Sequence, residues 1–302
     1  MKNERPSLQT PKHHVSRALL AILAAATLWG LIGPVTVWAN RAGLTAGQTA
    51  FWRTALTAIP FVWLAAYRRG QIARPDLFGV VAFGAFGIAV MYVAFFVAVE
   101  RAGVGIAAVL LYTGPAWVGL YEWTTQRRLP SGTQLLALAL TIAGVVMVSY
   151  RSAANAVDGV GIIAGLTSGI AYSTHYTLAP RYLSRYGPAP VYAVAMTAAA
   201  LLIGPIARPE LPAADAILPL LFLSLGATFI ASLLFARGIV HLEPVRAAIT
   251  ATVEPVVATA ASVVLLSAPV TAQQLAGTAL VLTGVTVIVI RRNRTQDLSE
   301  LK

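Results

Sequence analysis

One acidic side chain, Glu254, stands about ten residues into the apolar segment Val245–Ser267. An acidic group at that depth in a bilayer costs about 2.5 to 3.5 kcal/mol on insertion scales, so it must face protein or water. A carboxyl held there can carry a proton, pair with the amine of a bound molecule, or serve as a structural hydrogen-bonding group. The segment Val160–Leu183 adds Thr167, Ser168, Tyr172, His175 and Tyr176. Helical spacing puts 168, 172 and either 175 or 176 on one face, and such a polar stripe has no reason to face lipid. Trp29, Tyr92, Tyr112, Thr113 and Trp117 in the first half, with Thr228, Ser232 and Thr250 in the second, complete the set. Together they predict a mid-membrane cavity with aromatic walls and hydroxyl groups between, a lining suited to a small amphipathic molecule. His175 lies deeper toward the cytoplasm, where it is either a titrating group or ordinary packing. Arg53 is shallower and is expected to snorkel toward the outer interface or cap a loop.

Catalysis fits these residues poorly. Ser168 and His175 suggest a hydrolase dyad, but seven residues along one helix separate them by about 10.5 Å, beyond hydrogen-bond reach. There is no HExxH, P-loop or haem-type motif, and the absence of cysteine excludes disulfides, thiolate metal sites and cysteine nucleophiles. No cofactor or metal is implied. A channel would require rings of charge or a carbonyl filter, and one intramembrane carboxylate supplies neither.

The elements that position these groups are membrane spans. With 58% hydrophobic and 11% charged residues in 302, the chain cannot hide its apolar surface in one soluble core. Ten segments of about 20 residues are each long enough to cross a hydrocarbon core of about 30 Å as helices: 17–38, 49–67, 77–99, 104–123, 133–150, 160–183, 191–206, 216–240, 245–267 and 272–290. The chain also repeats at an offset of 140 residues. Phe95 falls on Phe235, Pro115 on Pro255, Gln134-Leu135 on Gln274-Leu275, and Gly144-Val145 on Gly284-Val285. Five crossings per half force the second half to enter from the opposite side, giving inverted repeats of the kind many secondary transporters use. The expected fold is therefore an all-α integral membrane protein of ten transmembrane helices in two inverted five-helix repeats, residues 18–151 and 158–291, flanked by tails 1–17 and 292–302.

The net charge of +11 follows the same topology. With a cytoplasmic N-terminus, that side receives seventeen Lys and Arg residues and the other only Arg41, Arg101, Arg151 and Arg208. This is the positive-inside pattern, so the basic excess marks orientation in the inner membrane, with both ends cytoplasmic, and not a nucleic-acid partner. The first span follows a basic tail but is too long for a signal-peptide core, so it is expected to be retained.

Two further patterns bear on packing. Pro115 and Pro255 are repeat equivalents in mid-span and free the carbonyls of Leu111 and Ala251, which predicts two kinked helices lining a polar cavity. Ala139 and Ala143 match Ala279 and Thr283, a small residue at every fourth position on the fifth and tenth helices. Those helices should pack on each other or form a homodimer seam.

Thr27-Leu28-Trp29-Gly30, Phe51-Trp52-Arg53, Tyr112-Thr113-Gly114-Pro115 and Val253-Glu254-Pro255 resemble the EamA-type, ten-helix members of the drug/metabolite transporter superfamily, over essentially the whole chain. Within it, the Thr-Gly-Pro and Glu-Pro pair is most similar to the threonine/homoserine exporter branch. One departure stands out: Ser267-Ala268 replaces the Gly-Glu that often follows the ninth helix. The resemblance implies a site enclosed by the first four helices of each half. The expected activity is alternating-access export of a small metabolite such as an amino acid; with no nucleotide-binding motif, its energy comes from an ion gradient, protons included, or from the substrate's own gradient. A scaffold or sensor that keeps the fold without net transport is the alternative; Gly30, Gly87, Gly114 and Gly169 beside the hydroxyls argue against the filled cavity it would need.

Overall fold

A computed structural model describes residues 12–127, 129–149 and 158–299. Arg128, Arg151 and the terminal Lys2, Arg5 and Lys302 of the charge pattern lie outside them. Among the described residues the secondary structure is helical, with no strand. Helix 1 runs over Lys12–Gly30 and Ile32–Arg41, helix 2 over Ala46–Tyr67, helix 3 over Arg74–Ala82, Phe83–Val90 and Met91–Ala102, helix 4 over Val104–Leu111 and Gly114–Gln126, and helix 5 over Gly132–Ser149. The second repeat follows with helix 6 over Gly159–Thr177 and Ala179–Tyr186, helix 7 over Pro188–Ala207, helix 8 over Ala214–Leu221, Phe222–Ile230 and Ala231–Ile239, helix 9 over Pro244–Ala251 and Glu254–Leu266, and helix 10 over Ala272–Ser299. Helices 1, 3, 7, 8 and 9 are individually long and apolar enough to cross a membrane.

The repeat is visible atom by atom. Helix 5 opens on a reciprocal cap in which the Ser131 N–H reaches Gln134 Oε1 at 2.7 Å and the Gln134 N–H reaches Ser131 Oγ at 3.3 Å. Thr271 and Gln274 repeat it at the start of helix 10, at 3.0 and 3.2 Å. Arg127 and Ser267, which follow helices 4 and 9, both adopt the left-handed conformation, with φ of 55° and 53°. Helices 3 and 8 both widen into π-helical turns, over Phe83–Val90 and Phe222–Ile230. In helix 8 the Thr228 hydroxyl donates to the Leu223 carbonyl five residues back, the spacing such a turn allows.

Inversion follows from how equivalent helices meet. A Cβ at Gly144 would stand 2.6 Å from the Gly277 carbonyl oxygen, and one at Gly284 would stand 2.8 Å from the Ala137 carbonyl oxygen, so helices 5 and 10 run antiparallel at backbone contact. Helices 2 and 7 are likewise antiparallel: Phe51 lies against Gly204 and Phe61 packs on Tyr192, ring centroids 5.1 Å apart.

Helices 5 and 10 do pack on each other, but through a different face from the one expected. The seam is Ala137, Thr141, Gly144 and Val148 against Gly277, Val281, Gly284 and Ile288, whereas Ala139, Ala143, Ala279 and Thr283 are exposed. Alanine-rich helices carry several small-residue rows; the row containing glycine allows the closest approach and takes the contact.

Candidate functional site

Four helices are interrupted among the described residues, and the site forms where the breaks of helices 1, 4 and 9 meet. Pro115 and Pro255 do more than bend helices 4 and 9: each sits in the first turn of a restarted helix, after breaks at Tyr112–Thr113 and Thr252–Val253. The chain crosses the breaks on shortened bonds, Thr113 N–H to the Leu110 carbonyl at 3.3 Å and Thr252 N–H to the Ile249 carbonyl at 3.1 Å. Helices 1 and 6 break at Leu31 and Leu178, ahead of Pro34 and Pro180. The breaks are held by glycines. A Cβ on Gly30 of helix 1 would lie 2.8 Å from the Glu254 carbonyl oxygen, and one on Gly169 of helix 6 would lie 2.5 Å from the Leu110 carbonyl oxygen. Any side chain there would push the neighbouring helix away from the break.

Glu254 opens the second segment of helix 9, and its carboxyl lies in hydrogen-bonding reach of the Tyr112 hydroxyl. Arg53 of helix 2 acts on the same carboxyl electrostatically. The expectation that Arg53 snorkels outward is therefore corrected. Its Nε donates to Thr228 Oγ1 at 2.5 Å and its guanidinium stands 5.1 Å from the Tyr92 ring centroid. The cause is the helix face: Thr49 and Thr57, four residues to either side, are both buried, and Thr57 Oγ1 donates to the Ser224 carbonyl of helix 8 at 2.9 Å. That Thr49-Arg53-Thr57 stripe was the sequence signal for this residue. Arg53, Tyr92 and Glu254 are each half-buried, whereas Thr228, which accepts from Arg53, is buried.

A second layer lies toward the end of helix 8 and the start of helix 3. Trp29 packs on Phe235 at 5.3 Å, Phe235 on Tyr176 at 5.5 Å, and Tyr176 on Tyr172 at 5.4 Å with their hydroxyls 2.8 Å apart. His175 continues the layer between Tyr172, at 5.8 Å, and the edge of Phe83, at 5.1 Å. The structure thus brings Trp29, Tyr172, His175 and Tyr176 together, with Glu254 in electrostatic reach of both tyrosines. Phe83 and Phe235, which carry no polar group, escaped the sequence reading.

The hydroxyls are more retired than expected. Ser168 Oγ donates to the Gly165 carbonyl at 2.7 Å, Thr250 Oγ1 to the Arg246 carbonyl at 2.8 Å, and Thr113 Oγ1 to the Leu110 carbonyl at 2.6 Å. Ser168, Thr228, Ser232 and Thr250 are all buried. The protons of Ser168, Thr228 and Thr250 are committed to their own helices, as those of small hydroxyls in helices commonly are, and Thr228 meets Arg53 through its remaining lone pair. Trp117 does not reach the centre; its Nε1 donates to Thr113 Oγ1 at 3.0 Å, and its ring lines an outer groove with Leu120 and Ile170. Among the described residues, no cluster of His, Cys, Asp or Glu is arranged to hold a metal ion.

The repeats are also tied at both ends. On one, Asp76 accepts from Arg185 Nη1 at 2.7 Å and from the Tyr186 hydroxyl at 2.6 Å; on the other, Trp52 Nε1 donates to the Glu210 carbonyl at 3.0 Å and Arg101 faces Asp158 at 3.4 Å.

An inverted pair of five-helix repeats with interrupted helices around an interior carboxyl and guanidinium defines a secondary-transporter architecture. Residues 16–150 and 159–290 each match the EamA-like transporter family, and the chain belongs to that family. It is 27% identical over 231 residues to an uncharacterised transporter of Archaeoglobus fulgidus, covering 74% of this chain and 81% of that one. It is 24% identical over 276 residues to the uncharacterised transporter YwfM of Bacillus subtilis, covering 89% and 92%. A solved crystal structure superposes with a TM-score of 0.77 over 93% of this chain and 99% of its own, at 20% identity, which speaks to the fold alone. The protein is a multi-pass membrane transporter and not an enzyme.

Proposed function

We propose that the chain exports small zwitterionic metabolites, amino acids foremost, by alternating access. The observation that supports this reading is that Arg53 and Glu254, both half-buried, lie close enough to interact electrostatically. A guanidinium offers fork-shaped donors to a carboxylate, and a carboxyl accepts from an ammonium, so the pair matches both ends of an α-amino acid. Trp29, Tyr172 and Tyr176 supply apolar surface for the side chain. Glu254 carries a proton in this reading, so that export is coupled to the proton gradient. The substrate cavity falls between residues 18–151 and 158–291, and the closed aromatic layer belongs to the cytoplasmic side. Both termini are cytoplasmic in the inner membrane. The small-residue seam of helices 5 and 10 is used within the protomer, so the reading needs no second copy.

The test is competition against uptake of a labelled amino acid into proteoliposomes preloaded with the same compound. The free amino acid should compete, while its methyl ester, lacking the carboxylate, and its N-acetyl form, lacking the amine, should not. Equal competition by all three would remove the zwitterion reading.

A further inference from the structure

Away from the transport site, the start of helix 1 and the end of helix 8 enclose a groove of about 420 Å³. The helices touch closely at its back, where a Cβ on Gly238 would lie 2.7 Å from the Ala18 carbonyl oxygen. Its floor is Ala18, Ala21 and Ala24, one small residue per helical turn, and Leu20, 64% exposed, and Leu234 form its walls. Its mouth carries Arg17, Arg237 and His241, all exposed, and among the described residues no acidic side chain lines it.

Floor and mouth ask for different chemistry from one ligand. A trough of small apolar side chains on the bundle surface fits a hydrocarbon chain, and two guanidiniums converging from separate helices fit a phosphate with fork-shaped hydrogen bonds. The basic groups lie at helix ends, the depth at which a lipid phosphate resides, and basic pockets between transmembrane helices at this boundary recognise anionic head groups. Positive-inside sorting alone accounts for arginines at helix ends, but not for their convergence over a small-residue trough.

We propose that this groove is a binding site for one anionic phospholipid, its phosphate held by Arg17 and Arg237 with His241 beside them and one acyl chain on the alanine floor. The site is independent of the substrate reading.

The experiment is native mass spectrometry of the full chain, delipidated in detergent and titrated with phosphatidylglycerol or phosphatidylcholine of matched chains. One high-affinity phosphatidylglycerol adduct is expected, with phosphatidylcholine binding weakly. Arg17→Gln with Arg237→Gln should weaken that adduct about 30-fold, from about a tenth-power step and a half for two surface arginines. Ala21→Leu, which fills the floor and keeps the charges, should weaken it as well, and millimolar inorganic phosphate should not displace it. An unchanged adduct in the double variant, equal binding of the two lipids, or displacement by phosphate would each overturn the proposal, the last reducing the site to a phosphate contact.

Discussion

Tyr112, the residue that follows the first segment of helix 4, lies in hydrogen-bonding reach of Glu254, the residue on which the second segment of helix 9 begins. The two interrupted helices, one from each repeat, thus bring a hydroxyl and a carboxyl close together at the point where both have given up their backbone ladders. A transporter that alternates by moving one repeat against the other must strain or remake this contact.

That contact separates two roles for Glu254. Glu254→Gln keeps the shape and can still bond Tyr112 but cannot release a proton, whereas Glu254→Ala removes the partner altogether. The Gln variant is expected to insert normally and to lose proton-driven export by at least tenfold, the scale of one lost charge-assisted interaction, while retaining substrate exchange. Proton-driven efflux and exchange measured separately in liposomes check this. Undiminished proton-driven efflux by the Gln variant would make the carboxyl structural.

The prolines give a second test. Pro115→Ala or Pro255→Ala restores a backbone donor and permits a continuous helix across each break. Either variant should insert and remain folded yet transport several-fold more slowly, because straightening displaces Tyr112 or Glu254. Initial transport rates, normalised to folded protein, are the readout; wild-type rates from both variants would assign the prolines to packing.

Gly144 predicts a stability effect with no change in specificity. Gly144→Val places atoms where the Gly277 carbonyl and the Val281 backbone now stand, so helices 5 and 10 must separate at a cost of about 1 to 3 kcal/mol. Thermal unfolding in detergent should shift downward, while the pattern of competing substrates stays as in the wild type. An altered competition pattern would tie this seam to the substrate path.

Much of this architecture was legible in the residues. Apolar length marks the spans, because hydrocarbon admits little else. The 140-residue offset carries the repeat down to the paired caps at Ser131 and Thr271. Pro115 and Pro255 announced a lost donor, but whether a helix bends or stops depends on what packs against it, and here the close-packed Gly30 and Gly169 hold the breaks open. The inward turn of Arg53 was written in Thr49 and Thr57, yet depth alone suggested snorkelling. Phe83 and Phe235 gave no sign, since a phenyl ring reads the same facing lipid, core or substrate. The exposed alanine rows of helices 5 and 10 misled for a related reason: composition cannot choose among the faces of an alanine-rich helix.

In the proposed function, Arg53 is the group that reads a substrate carboxylate. Counterflow of a labelled amino acid and of the amine formed by its decarboxylation, measured in proteoliposomes of the wild type and of Arg53→Gln, tests it directly. The wild type should favour the amino acid. The variant should lose most amino acid transport, by tenfold or more for a removed bidentate partner, and carry the amine at least as well as the wild type does, inverting the preference. A folded Arg53→Gln protein that still favours the amino acid as the wild type does would contradict the assignment of this site.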